Sequence, residues 1–188
     1  MKTLRKTAEE AYLKYANKII NRETWIDGFI SGIQYKKEYP QSIELCGLLW
    51  DTENLAIGGY EKDGRHYYTW DEAMEAAKSV GKRLPTWQEW EALCDLGSTW
   101  DDERKGCWFG GNHNSDHKGS LFLPAAGLRS SSSGELAYTS SYGYYWSSSP
   151  NYGGSNNAGY LYFTSGNVYP LNHSGRAYGF SVRCVQNK

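Results

Sequence analysis

Two capping boxes fix the middle of this chain as a pair of helices. Thr69-Trp70-Asp71-Glu72 and Thr86-Trp87-Gln88-Glu89 each set a threonine three residues before a glutamate. The threonine hydroxyl accepts the N–H of the third helical residue, and the glutamate reaches back to the threonine N–H. Gly81 and Gly97 stand where C′ glycines end such helices. Trp70, Ala73, Met74 and Ala77 then share one face of the first helix. Trp87, Trp90, Leu93 and Cys94 share one face of the second. Leu84-Pro85 leads into the second helix in an extended conformation, because the residue before proline avoids the α region.

Around this pair the chain reads as short strands. Ile43 to Trp50 predicts one strand, Asn54 to Tyr60 and His66 to Tyr68 two extended pieces, and Asp63-Gly64 a turn between them. Trp100 to Lys118 is polar and reads as irregular. Leu121 to Leu128 predicts a core strand ending in a turn. Tyr142–Ser148, Tyr160–Phe163, Asn167–Pro170 and Phe180–Val185 predict antiparallel strands, with Leu161 and Phe163 inward and Tyr160 and Tyr162 outward. Residues 1 to about 36 read as helix, with Ala8, Tyr12, Tyr15, Ala16, Ile19 and Ile20 at helical spacing, then Trp25, Phe29 and Ile33. Tyr39-Pro40 closes that region. The expected class is α+β, with a helical extension over 1–40 and a main domain over 41–188.

Charge and composition exclude several functions. A formal net charge of -1 leaves no nucleic-acid footprint. No apolar run approaches the roughly 18 residues of a membrane span. The scattered charges of the first twenty residues make no secretory leader, so synthesis in a cytoplasm without general export is expected. Cys46, Cys94, Cys107 and Cys184 form no C-x-x-C pair, which argues against structural zinc and for free thiols. A bridge from Cys46 or Cys94 to Cys184 is conceivable only outside the cytoplasm. Aromatic residues make up 15% of the chain, more than a core of this size needs, and Tyr and Trp suit binding surfaces.

The last third keeps a frame and varies what fills it. The frame is Trp146-Ser147-Ser148-Ser149, Leu161, Phe163, Ser165-Gly166, Val168, Pro170 and Gly179-Phe180-Ser181-Val182-Arg183-Cys184. Between Ser147 and Arg183 there is no Lys, Glu, Gln, Met, Trp or Asp. The filling residues are Asn, Tyr, Gly, Ser, Ala, Leu, Thr and His, all of which have codons ending in a pyrimidine. Adenine-directed randomisation of Asn codons leaves that signature. The tract resembles the variable region of diversity-generating retroelement proteins. Lys82-Arg83-Leu84-Pro85-Thr86-Trp87-Gln88-Glu89-Trp90 likewise resembles the R-L-P-T-x-x-E-W element of lectin-like and formylglycine-generating-enzyme-type domains. Together these cover about residues 43 to 185. The resemblance implies a C-type-lectin-like fold, with two helices packed on short antiparallel sheets and a loop-rich C-terminal half.

It also implies a ligand-binding face within about 145–185. The non-frame positions are Asn151, Tyr152, Gly153, Ser155, Asn156, Asn157, Gly159, Tyr160, Tyr162, Thr164, Asn167, Tyr169, Leu171, Asn172, His173, Gly175, Ala177 and Tyr178. Tyrosines would anchor a partner, while Asn and Ser supply adaptable hydrogen bonds. Ala158 and Arg176 fit either set. Arg176 and Arg183 are expected to hold the backbone of the variable loops, and Trp146 to plug the core beneath them. The implied function is a receptor-binding protein of a phage tail. Its partner would be a bacterial cell-surface protein or glycan, and association through the N-terminal helices would add avidity.

No catalytic site and no cofactor are expected. His113 and His117, beside Asp116, would face one way only on a helix, and the segment reads as a loop. Asp101-Asp102-Glu103 reads as a solvated turn, with calcium as the alternative. The formylglycine-generating enzymes use a late cysteine pair that holds copper, whereas Cys184 stands alone here. The alternatives are a metal-dependent oxidase-type enzyme of that superfamily and a non-diversified structural subunit.

Overall fold

The computed structural model describes residues 42–111, 119–150 and 156–188. The chain divides into two units, Met1–Gln41 and Ser42–Lys188. The helices expected over 1–40 lie outside the described residues, as do His113, Asp116 and His117.

The second unit is α+β, built from small antiparallel sheets and two helices. Strands β1 (Ser42–Leu45) and β2 (Leu48–Asp51) pair with β13 (Val185–Asn187) in the order β1-β2-β13. The single strand expected over Ile43–Trp50 is therefore a hairpin. Cys46 and Gly47 form its two-residue turn with φ of 52° and 75°, which matches the twist of the flanking strands. Hairpin β3 (Tyr60–Lys62) and β4 (Arg65–Tyr67) turns at Asp63-Gly64 as expected. Asn54 to Gly59, expected to be extended, is loop.

Helices α1 (Trp70–Ser79) and α2 (Trp87–Asp95) carry both capping boxes. Thr69 Oγ1 accepts the Glu72 N–H at 3.4 Å, and Glu72 Oε2 accepts the Thr69 N–H at 2.9 Å. The Thr86–Glu89 pair repeats this at 3.3 and 2.8 Å. Gly81 and Gly97 follow with φ of 72° and 88°. Ala73 and Ala77 bury the inner face of α1, while Met74, expected on that face, is exposed. Trp90 and Leu93 do the same for α2.

Strands β5 (Ser98–Asp101), β6 (Gly106–Phe109) and β7 (Leu121–Pro124) form a second sheet. The polar run after Trp100 is thus half hairpin, contrary to the irregular stretch expected. The acidic cluster makes its turn: Asp101 Oδ1 accepts the N–H groups of Glu103 at 3.0 Å and Arg104 at 2.8 Å. Asp101 Oδ2 accepts the indole N–H of Trp108 at 3.0 Å. Its carboxylate is consumed by the turn. Strands β8 (Leu128–Arg129) and β9 (Leu136–Ala137) form a short pair.

The central sheet is β10 (Gly143–Pro150), β11 (Asn157–Phe163) and β12 (Val168–Gly175), in that order. It separates two hydrophobic clusters. Tyr145, Leu161 and Phe163 face a core containing Trp50, Trp90, Phe109 and Leu123. Trp146 and Ala158 face one containing Tyr68, Ala73, Ala77, Leu84, Phe180 and Cys184. Indole N–H groups pin β10 between the helices. Trp70 donates to the Ser147 carbonyl at 2.7 Å and Trp90 to that of Trp146 at 3.3 Å. Trp146 itself donates to the Tyr68 carbonyl at 2.7 Å and is fully buried, as a core plug should be.

Candidate ligand-binding surface

Much of the frame is interior, although Ser165 and Gly166 are exposed and Ser148, Ser149, Val168 and Pro170 half-buried. Trp146, Leu161, Phe163, Val182 and Cys184 are wholly buried, and Phe180, Ser181 and Arg183 nearly so. Gly143 also lies under the Phe163 ring, where a Cβ would collide with it. Burial of this kind, on both faces of one sheet, is what holds the neighbouring positions in place.

The eighteen non-frame positions do not form one surface. Asn151, Tyr152, Gly153 and Ser155 lie outside the described residues. Asn156, Asn167, Tyr169, Leu171, His173 and Ala177 are exposed. Asn157, Tyr160, Tyr162, Thr164, Asn172, Gly175 and Tyr178 are half-buried. Gly159 is buried, and a Cβ there would overlap the Trp87 indole of α2. It is a close-approach glycine and displays nothing. The His173 ring meets Trp87 edge-on at 4.5 Å on that same side.

The register explains the split. Tyr160 pairs with Asn172 and Tyr162 with Tyr169, so β12 carries one extra residue opposite Leu161. Such a bulge re-aims the side chains beyond it. Tyr160, Tyr162, Tyr169 and Asn172 thus share the face turned away from α2.

On that face Tyr160 and Tyr162 do not stand out into water as the alternation predicted. They are layered into an aromatic group. Tyr144 lies 5.9 Å from Tyr160, 5.2 Å from Tyr162 and 5.2 Å from Phe180. Tyr178 stacks on Phe180 at 6.0 Å. At the outer side a ladder runs through four rings. Tyr138 stacks on Tyr142 at 4.9 Å, Tyr142 meets Tyr162 edge-on at 5.7 Å, and Tyr162 stacks on Tyr169 at 5.7 Å. Its two ends are open, with Tyr138 55% and Tyr169 47% exposed. Tyr138 and Tyr142 precede the tract and were not among the expected site residues. The signal for them is the tyrosine density of Tyr138-Thr139-Ser140-Ser141-Tyr142-Gly143-Tyr144-Tyr145. Burial and the neighbouring phenols push the Tyr144, Tyr160 and Tyr162 hydroxyls above the usual phenol range.

The two arginines part company. Arg176 holds the tract as expected: its guanidinium donates to the Asn157 carbonyl at 3.4 Å and lies 4.2 Å over the Trp70 ring. Its backbone N–H donates to Asn156 at 2.8 Å. Arg183 does not. It is buried and bonds the loop after β2, donating to Asn54 Oδ1 at 3.1 and 2.6 Å and to the Asp51 carbonyl at 2.8 Å. Burial lowers its pKa.

Thr164 and Asn167 close the β11–β12 turn, with Thr164 Oγ1 accepting the N–H groups of Gly166 and Asn167 at 3.2 Å each. This turn borders a recess of about 180 Å³ with Ser98, Trp100 and Cys107 on its other wall. The cysteines are free thiols. Cys184 and Cys94 belong to different clusters, on opposite sides of the central sheet. Burial pushes the Cys184 thiol up to about 12, far from the thiolate a nucleophile or metal ligand needs. Among the described residues no group of three or more His, Cys, Asp or Glu is placed to hold a metal ion.

Residues 95–185 match a protein family described as a domain of unknown function (DUF8237). The match runs from the end of α2 to the start of β13 and takes in the whole central sheet and the tyrosine ladder. No curated protein and no solved structure matches the chain.

Proposed function

We propose that this protein binds a ligand rather than transforms one. In this reading it displays a retroelement-diversified surface on a C-type-lectin-like scaffold, as the receptor-binding protein of a phage tail. The observation that carries the reading is a sorting of residue types by depth. On β12 the exposed side chains are Tyr169, Leu171 and His173, with Asn167 and Ala177 exposed just outside the strand, and all five are of the eight pyrimidine-ending types. The large residues Leu161, Phe163 and Phe180 are buried. Randomisation at those exposed positions would spare the core, while the buried Gly159 falls outside this sorting.

Capping boxes, helix pair and a central sheet clamped between them suit the lectin-like assignment. The target is a bacterial cell-surface protein or glycan. Association through residues 1–40 multiplies weak single contacts by avidity, and the protein reaches the virion after synthesis in the host cytoplasm. The oxidase-type alternative gains nothing from Cys184, which is buried and protonated.

The test is the DNA downstream of the gene. A near-copy of the codons for residues 145–185, differing only at template adenines, is the expected result. The absence of both such a repeat and a neighbouring reverse transcriptase would sink the reading.

A further inference from the structure

We infer that the ladder Tyr138–Tyr142–Tyr162–Tyr169 is a platform for a neutral oligosaccharide chain, held without a metal ion, and that its first two rungs are invariant. The inference deepens the display reading and rests on it only for Tyr162 and Tyr169. Tyr138 and Tyr142 lie before the tract whose codons would vary.

Tyr138 is the residue that points to a ligand. It sits at φ 60°, in the left-handed region that a bulky side chain adopts only at a cost. Its surroundings impose that conformation. The Tyr138 carbonyl accepts the N–H groups of Ser141 at 3.2 Å and Tyr142 at 3.0 Å. The Ser140 N–H donates to Ala125 at 2.7 Å, and the Gly127 N–H to Tyr142 at 2.8 Å. Gly127 leaves no room for a Cβ beneath this loop. Yet the ring so fixed is 55% exposed, so burial does not repay the strain. What the strain achieves is a ring stacked on Tyr142 and open to solvent.

The kind of ligand follows from charge. From Leu136 to Val182 the chain contains no carboxylate and no lysine. Its single arginine, Arg176, is engaged with Trp70 and Asn157, and its single histidine lies against Trp87. An anionic polymer finds no cation on the ladder, and a bridging calcium ion finds no carboxylate. A protein surface would have to desolvate its charged side chains against rings that carry no charge. A neutral sugar chain meets none of these costs. Its C–H faces pack on ring faces, and its hydroxyls exchange hydrogen bonds with phenols and with Asn172.

The experiment titrates the full chain with linear neutral hexasaccharides of glucose, mannose and N-acetylglucosamine, by ligand-detected NMR and calorimetry. We expect at least one to bind, with affinity unchanged by chelator and changed less than about twofold between low and high salt. Tyr138→Ala should weaken it about tenfold or more, while Tyr138→Phe, which keeps the ring, costs under about threefold. Leu96→Ala, an exposed apolar change beside Gly110, should leave it alone. Binding of none of the sugars overturns the inference, and so does loss of binding on chelation, or a Tyr138→Ala variant that binds like the parent. If the protein binds a cell-surface protein and no sugar, the sugar platform falls and the display reading stands. If a sugar binds through Tyr138 and no downstream repeat exists, the reverse holds.

Discussion

Arg183 and Gly159 show how single residues set the limits of the tract. Arg183, itself buried, gives its guanidinium to Asn54 and the Asp51 carbonyl and also meets Tyr145. Arg183→Met removes the donors of the half-buried Asn54 Oδ1 and Asp51 carbonyl. We expect a loss of about 1–3 kcal/mol in urea unfolding, beyond any effect of side-chain volume. Gly159 fails for a steric reason: Gly159→Ala must displace Trp87 from the sheet. The expected cost is about 1–3 kcal/mol, with a change in indole fluorescence reporting the move. Neither role can be read from the chain alone. A glycine among glycines, and an arginine beside a frame cysteine, carry no mark of the side chain that will lie against them.

At the level of elements, what was legible is what is local. The helices were written in their capping boxes and β11 in the inward Leu161 and Phe163, whereas Phe180–Val185, expected as a strand, makes only isolated bridges before β13 begins at Val185. The β1–β2 hairpin was missed because Cys46 takes the left-handed conformation, for which cysteine gives no cue. The β5–β6 hairpin was missed because its polar turn is organised by Asp101 accepting from three later donors. The ladder was missed because Tyr142 and Tyr162 meet across a sheet. The α2 cap also reaches across: Arg83 holds Glu89 through two bonds of 2.7 Å and Asn187 at 2.6 Å, joining the helix start to β13. Burial opposes the Glu89 charge, but Arg83 and the Thr86 N–H outweigh it and lower the pKa. The stabilisation is therefore full above the unfolded value near 4.5 and fades as pH falls below it. Glu89→Gln should cost about 1 kcal/mol at neutral pH and nearly nothing at pH of about 3, measured by paired urea melts.

The buried thiols and phenols of the domain are held uncharged. Cys107 is pushed by burial up to about 11, and Cys94 and Cys184 to about 12. Tyr68 and Tyr145 are likewise held at about 12 by burial. In each case the folded form keeps a proton that the unfolded chain gives up sooner. Stability is thus intact below about pH 9 and falls as pH climbs through the interval up to 12. A melting-temperature series should be flat from pH 7 to about 8.5 and then drop with steepening slope; a drop that begins below pH 8 contradicts this. The pinning of β10 has a different kind of consequence. Trp70, Trp90 and Trp146 each grip a main-chain oxygen, an atom that every amino acid supplies alike. A grip of that sort is indifferent to genotype. It does not depend on which side chain stands at Tyr68, Trp146 or Ser147, so substitution there leaves the acceptor in place as long as the backbone keeps its course.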